Sequence, residues 1–376
     1  MRYGGPCIDA DVHHDWASEA ELHQYLSKEW REYVRLPGKT TNRIRPATMA
    51  YPHTGGTNKR IDTYPPNGGG PGSDYATMKR QLLDPLDVRA AILSYSIGHN
   101  AALPNLYLAT AVCRAANDWS IDRWLDGRDD RLYGAVLVPT QVPDEAAAEV
   151  RRVGRHPRMK EVILISNGLG KPFGHPAYHP IYEAAADVGL PVALHVAGEL
   201  SATGAHIAGG GVPSTRLENI TLAPQAEQHH LTSLIAHGVF EKYRDLKILL
   251  VENGVSWLPW LLWNLDDNYR YWRRESPWVK RRPSEYVRER VKLTTQPLED
   301  PARPEQLMEV LESFGGMEDL LCFATDYPHW DADDPQYIAR KLPEAWLPKV
   351  FYENAREFFG LPKTAPAQAG GGTARG

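Results

Sequence analysis

The stretch Lys247–Gly254 reads KILLVENG. Its centre, Ile248 to Val251, is apolar at every position, so a strand formed here would be apolar on both faces. Such a strand needs cover on both sides, which is the condition of parallel sheets flanked by helices. The residues that follow, Leu258–Tyr271, repeat apolar side chains at three- and four-residue intervals and read as a helix. Seven further β-rich runs stand between turn residues: Cys7–His13, Val88–Tyr95, Leu132–Pro139, Glu161–Asn167, Pro191–Gly198, Val291–Pro297 and Leu320–His329. Helical spacing fills Tyr107–Leu125, Glu145–Val153, His179–Val188, Ala226–Phe240, Pro304–Phe314 and Ala345–Phe359. Strand followed by helix, eight times over, predicts an α/β fold closed into a (β/α)8 TIM barrel. The alternative is an open doubly wound sheet, but no Gly-x-Gly-x-x-Gly opens the first unit.

The 376 residues suit one large barrel, expected over residues 1–362. With 42% hydrophobic and 24% charged residues, disordered and fibrous classes are excluded for the bulk of the chain. The net charge of −5 lacks the basic footprint of a dedicated nucleic-acid binder. No apolar run approaches the roughly 18 residues of a membrane span. The start, MRYGGPCIDADV, has no apolar signal region, so the expected location is the cytoplasm. Three cysteines with no Cys-x-x-Cys spacing imply neither a disulfide framework nor a cysteine zinc site. Two Gly- and Pro-rich stretches, residues 37–74 and 200–224, follow the first and fifth strands and are read as lid insertions on the C-terminal face. The tail, residues 363–376, is low in complexity and expected to be disordered.

The strand ends carry side chains able to bind metal. The first ends Asp9-Ala10-Asp11-Val12-His13-His14, and residues two apart share a side of the pleat, so Asp11 and His13 can both face the barrel axis with Asp9 in line. His195 lies in VALHVAGE on the fifth strand and Asp326 in FATDYPHWD on the eighth. Taken singly, each could be an ordinary buried histidine or a turn aspartate. Their coincidence at the ends of strands one, five and eight points to a mixed nitrogen and oxygen site for Zn²⁺, Mn²⁺ or Fe²⁺. His329 should sit at the barrel mouth, either bonding loop backbone or contacting substrate. Trp257 and Trp330 are candidates to line the pocket. Trp260 and Trp263 are helix-spaced and read as packing residues. The cluster Arg270, Arg273, Arg274, Lys280, Arg281 and Arg282 is a solvated face, an interface, or a dock for the phosphate of a coenzyme A or carrier-protein thioester.

The segments IDADVHH, VALHVAGE, FEKYRDLKILLVENGVSWLP and FATDYPHWD resemble the amidohydrolase superfamily, in the branch that includes aminocarboxymuconate semialdehyde decarboxylase and aromatic-acid decarboxylases. The resemblance runs from Ile8 to about Leu361. It implies a distorted (β/α)8 barrel with a catalytic divalent metal on Asp11, His13, His195 and Asp326. Two departures stand out. Asp11 takes a position that is His in many members, and Glu252 takes the place of a His at the end of the sixth strand. Glu252 then serves as general base, as a metal ligand, or as a group that orients a ligand. No Lys stands in EVILISN on the fourth strand, which favours one ion over two.

From these residues the expected activity is hydrolysis. A divalent metal, zinc first, activates water, with Glu252, Asp326 and His329 as catalytic groups acting on an amide, ester, thioester or C–C bond of a partly apolar small molecule. The alternative is metal-dependent nonoxidative decarboxylation of an aromatic or unsaturated acid. A second alternative is a noncatalytic ligand-binding barrel. A homodimer is the default assembly.

Overall fold

The computed structural model describes residues 2–35, 59–95, 103, 105–165, 169–196 and 215–363. Eight strands pair in parallel and in chain order: β1 (Cys7–His14), β2 (Val88–Tyr95), β3 (Leu132–Leu137), β4 (Met159–Leu164), β5 (Val192–His195), β6 (Ile248–Val251), β7 (Val291–Thr294) and β8 (Leu321–Cys322). β8 meets β1 across a short seam. There Ala10 donates its N–H to the Phe323 carbonyl at 3.0 Å, His13 to Tyr327 at 2.7 Å, and Asp326 to Asp11 at 3.1 Å. The barrel expected from the repeated strand–helix pattern is the fold observed.

β3, β5 and β6 are buried along their whole length, as their apolar sequences require, with His195 at the end of β5 the one strongly polar side chain. Each fully buried Leu, Ile or Val contributes about 1.5–3 kcal/mol to folding. The helices close over the outer faces of the strands. Asn105 caps Leu106–Ser120 by accepting the Leu108 N–H, and Pro143 opens Pro143–Val153 at a first-turn position where its missing N–H costs nothing. His179–Val188 stops at Gly189, whose φ of +72° suits a residue without a Cβ. Among the helices not anticipated, Pro283–Arg290 and Pro335–Lys341 are short and begin with proline.

The strand ends differ from the sequence expectation in an informative way. The eighth run was expected as strand to His329, but the regular strand stops at Cys322, and beyond it only the isolated bonds of the seam continue to Tyr327. Likewise β6 stops at Val251 rather than Gly254. Asp326 and Glu252 each adopt φ of +59°, in the left-handed region that an extended strand cannot use. The β6 break therefore falls on a carboxylate singled out as a site residue, and Asp326 turns four residues beyond the end of β8.

Residues 36–58 and 197–214 lie outside the described residues, as do 364–376, so most of the two expected insertions and the expected disordered tail fall there. The described part of the first insertion is packed against the site strand. Gly72 (φ +82°) lies so close that a Cβ would stand 2.7 Å from the His13 carbonyl oxygen, and its own carbonyl accepts the Asp15 N–H at 3.0 Å. In the second insertion, Arg216–Leu222 is helical rather than loop. Thr215 accepts the Glu218 N–H at 3.2 Å and donates its own N–H to the Glu218 carboxylate at 2.7 Å, a reciprocal cap.

Candidate active site

The C-terminal rim of the barrel brings β1, β5, β6 and β8 to one place. Asp11 and His13 point inward together despite a register shift between Asp9 and Val12. Asp11 Oδ1 stands 3.6 Å from His13 Nε2, and Asp11 Oδ2 stands 3.5 Å from His195 Nε2. Asp326 Oδ1 lies 2.9 Å from His13 Nε2. Two overlapping triads result, Asp11/His13/His195 and His13/Asp326/His329, each with ligand-type atoms within 4.8 Å of one another. The four residues singled out from the sequence thus converge, and His329 joins them. Glu252 Oε2 is 3.8 Å from His195 Nε2, and the Glu252 N–H is held by Thr294 Oγ1 at 3.0 Å.

The residues around the cluster fix its orientation. His195 Nδ1 bonds the Val196 carbonyl at 2.7 Å, which leaves Nε2 turned into the site. Ser94 on β2 donates to Asp11 Oδ1 at 2.6 Å and lies 3.3 Å from His13 Nδ1. Asp9, expected in line with Asp11, turns instead to the seam. It accepts the Thr325 N–H at 2.9 Å and the Thr325 hydroxyl at 2.6 Å. His14 points the other way, bonding the Ser94 carbonyl at 2.5 Å and Ser120 Oγ at 2.8 Å among Tyr95, Trp119 and Trp124.

Charge in this buried space is strongly coupled. Burial acts against ionisation of Asp11 and Asp326, but His13 and His195 beside Asp11, and His329 and His13 beside Asp326, hold both carboxyls below the usual range. Burial also opposes a charged His13, yet Asp11 and Asp326 raise it to about 10. Burial together with Asp326 and Asp11 pushes the Glu252 carboxyl well up, against His195 and His13.

Among the described residues, buried His13 Nε2, His195 Nε2 and Asp326 Oδ2 have no hydrogen bond of good geometry, although His13 Nε2 lies beside Asp326 Oδ1. Unsatisfied polar atoms of this kind are costly, and three converging here fit a divalent cation as their common partner. The donor set, two imidazoles with carboxylates, suits a borderline or moderately hard ion.

Lys59, from the first insertion, was not anticipated. Its Nζ lies 2.5 Å from His329 Nε2, and His329 Nδ1 bonds Asp326 Oδ1. A bridge between Lys59 and His329 ties this segment to the loop after β8. Burial lowers the Lys59 ammonium from its ordinary range although Asp326, Asp15, Glu252 and Asp11 favour the charge. TNKRIDT has no periodicity to mark Lys59; its only sequence signal is its place in an insertion on the catalytic face. The two candidate pocket tryptophans part company. Trp257 is buried and donates its Nε1–H to Asn253 O at 2.8 Å and Gly254 O at 3.1 Å, bracing the loop after β6, whereas Trp330 is 63% exposed next to His329.

A parallel barrel with an imidazole and carboxylate centre at its C-terminal rim belongs to the class of barrel enzymes built around such a centre. The family model described as amidohydrolase matches residues 8–361, and the chain belongs to that family. The resemblance read from the strand-end motifs is therefore correct. A gamma-resorcylate decarboxylase of Polaromonas sp. (strain JS666 / ATCC BAA-500) is 25% identical over 300 residues, covering 77% of this chain and 88% of that protein. An amidohydrolase of Mycobacterium avium subsp. paratuberculosis K-10 superposes with a TM-score of 0.68 at 19% identity, over 96% of this chain and 99% of that one. A 5-carboxyvanillate decarboxylase of Novosphingobium aromaticivorans DSM 12444, solved with manganese and 4-hydroxy-3-methoxy-5-nitrobenzoic acid, superposes with a TM-score of 0.63 at 20% identity, over 95% and 97% of the chains.

Proposed function

We propose that this chain is a metal-dependent nonoxidative decarboxylase of a hydroxylated aromatic carboxylic acid. The observation that carries the reading is the convergence of Asp11, His13, His195 and Asp326, three of them with buried unsatisfied ligand atoms, in a chain with 25% identity to a gamma-resorcylate decarboxylase. This reverses the order of the two activities expected from the sequence. Hydrolysis was placed first because Glu252 replaces a histidine, but curated relatives that match 77% of the chain are decarboxylases.

The proposed ligands are Asp11, His13, His195 and Asp326. Manganese replaces zinc as the favoured ion, since a decarboxylase of the same fold holds it. One ion is proposed, because the two triads share His13 and β4 offers Ile163 and Leu164 where a bridging lysine would be needed. When bound, the cation supplies positive charge to orient the acid's carboxylate and neighbouring oxygen.

The chain's own groups account for the rest. Decarboxylation adds a proton to the ring carbon that bears the carboxylate, then breaks the C–C bond; CO₂ leaves and the bonding pair restores the aromatic ring. The donor must be a carboxyl open to the pocket and not gripped on every side. Asp326 is held by His13 and His329, and Asp11 by Ser94, His13 and His195. Among the described residues, the ion pair of Glu252 Oε2 is with His195 alone, at 3.8 Å, and its side chain is 17% exposed. Glu252 is therefore assigned as the acid that delivers the proton. His329 grips Asp326 and faces Lys59, so this pair holds the β8 carboxylate in place and brings a positive charge into a space with three carboxylates. Trp330, beside His329, is proposed to contact the substrate ring.

The substrate is a free small molecule rather than a carrier thioester. The basic cluster that suggested a phosphate dock is neutralised in part, Arg281 by Glu285 and Glu289 and Arg270 by Asp267, and the curated relative acts on a free aromatic acid. No helix among the described residues is long and apolar enough to cross a membrane. The test is CO₂ release from a panel of hydroxybenzoates, 2,6-dihydroxybenzoate and 5-carboxyvanillate included, by the manganese-loaded protein. Release of CO₂ with the matching phenol supports the reading; hydrolysis of an ester or amide panel with no CO₂ from any aromatic acid overturns it.

A further inference from the structure

Helix Trp257–Trp272, which follows β6, buries Leu258, Leu261 and Leu262 against the barrel and leaves the opposite side open. That open side carries large aromatic rings. Trp260 is 56% exposed, Trp263 54% and Tyr271 67%. At 100° per residue, Trp260, Trp263, Asn264, Asp267, Arg270, Tyr271 and Arg274 fall on one stripe of the heptad kind, with Arg274 in the turn that continues the helix. The sequence reading assigned Trp260 and Trp263 to packing on the barrel, and the structure turns both outward. The three rings leave roughly 400 Å² uncovered, within the range of the largest apolar patch on an ordinary monomer, which is often functional. With the polar members of the stripe the face approaches the roughly 800 Å² per partner of a standard protein interface.

We infer that this stripe is an isologous contact with a second copy of the chain, the two helices packing antiparallel about a two-fold axis at Asp267. The two halves of the stripe are complementary. The N-terminal half offers Trp260 and Trp263; the C-terminal half offers Arg270, Tyr271 and Arg274. Antiparallel pairing about Asp267 sets Trp260 opposite Arg274, Trp263 opposite Tyr271 and Asn264 opposite Arg270. Arginine over an indole face and ring against ring are both favourable pairings, and tryptophan, tyrosine and arginine are the residues that dominate interface energies. Asp267 would meet its own copy, but each is paired within its chain by Arg270 at 2.5 Å, so the axis is not a bare carboxylate contact. The same aspartate argues against a lipid surface, because it would place a negative charge at the centre of the buried face.

Sedimentation of the full-length chain at low micromolar concentration tests this. The expected species has twice the 42.1 kDa chain mass. The double variant Trp260→Glu/Trp263→Glu should dimerise at least about tenfold more weakly with an unchanged circular dichroism spectrum. Register has its own readout: the native cysteines Cys7, Cys113 and Cys322 are buried, so Asp267→Cys should form a disulfide with its copy under mild oxidation, while Asp144→Cys on the helix Pro143–Val153 should not. A monomeric wild type, a dimer indifferent to the tryptophan changes, or a dimer in which Asp267→Cys fails to cross-link overturns the proposal. So does a monomer that sediments with phosphatidylglycerol vesicles.

Discussion

Thr325 donates its backbone N–H, at 2.9 Å, and its hydroxyl, at 2.6 Å, to the carboxylate of Asp9. Asp9 is on β1, two residues before Asp11; Thr325 immediately precedes Asp326. The contact therefore clamps together the two strand ends that supply three of the four proposed ligands. It also anchors the chain where Asp326 enters its left-handed turn, a conformation that persists only when its surroundings enforce it. Thr325→Val keeps the shape and removes one donor. The expected cost is about 1–3 kcal/mol, since a buried carboxylate oxygen loses its partner. Urea unfolding should show it, together with weaker manganese binding; Thr325→Ser should restore both.

His329 and Lys59 support Asp326 from the other side. His329→Gln should reduce manganese affinity or turnover about 10–100-fold, the usual consequence of removing a group that orients a ligand. Lys59→Met should act in the same direction with the fold intact. Calorimetric titration of the metal and steady-state kinetics separate the two effects. Unchanged values for both variants would remove this pair from the site.

Glu252→Gln should retain manganese and lose about 10²–10⁴-fold in turnover on an aromatic acid, the range associated with a positioned acid or base. Retained metal with normal CO₂ release would return the proton to another group.

Stability should fall in mild acid because of His14. Burial drives its folded value down to about 3, from the ordinary 6.5. Between these values the unfolded chain binds a proton that the folded chain refuses, so stability rises with pH through this window and is lost as pH falls below about 6.5. The His14 contribution to the slope approaches about 1.4 kcal/mol per pH unit. His14→Gln, which cannot titrate, should flatten the denaturation midpoint between pH 6 and pH 4 by about that slope.

Much of this was legible from residues alone, for identifiable reasons. Buried parallel strands leave unbroken runs such as Ile248–Val251, and their ends carry the unusual polar residues, so Asp11, His13, His195 and Asp326 could be read as one centre before any coordinates. The reach of β6 was overestimated because the left-handed turn at Glu252 has no glycine at that position to announce it, and the run FATDYPHWD hides a second such turn at Asp326 beyond the end of β8. Lys59 was missed because its partnership with His329 joins residues 270 apart and follows from the path of an insertion, not from a periodic pattern. Trp260 and Trp263 were taken as packing because helical spacing shows that residues share a face but not which way that face turns.

The most direct measurement is the manganese content of the dialysed wild type and of His13→Ala and His195→Ala, read by elemental analysis with circular dichroism as the control for folding. The account predicts one ion per chain in the wild type and little or none in either variant. A folded wild type that takes up no divalent ion, or variants that keep a full complement, would contradict it.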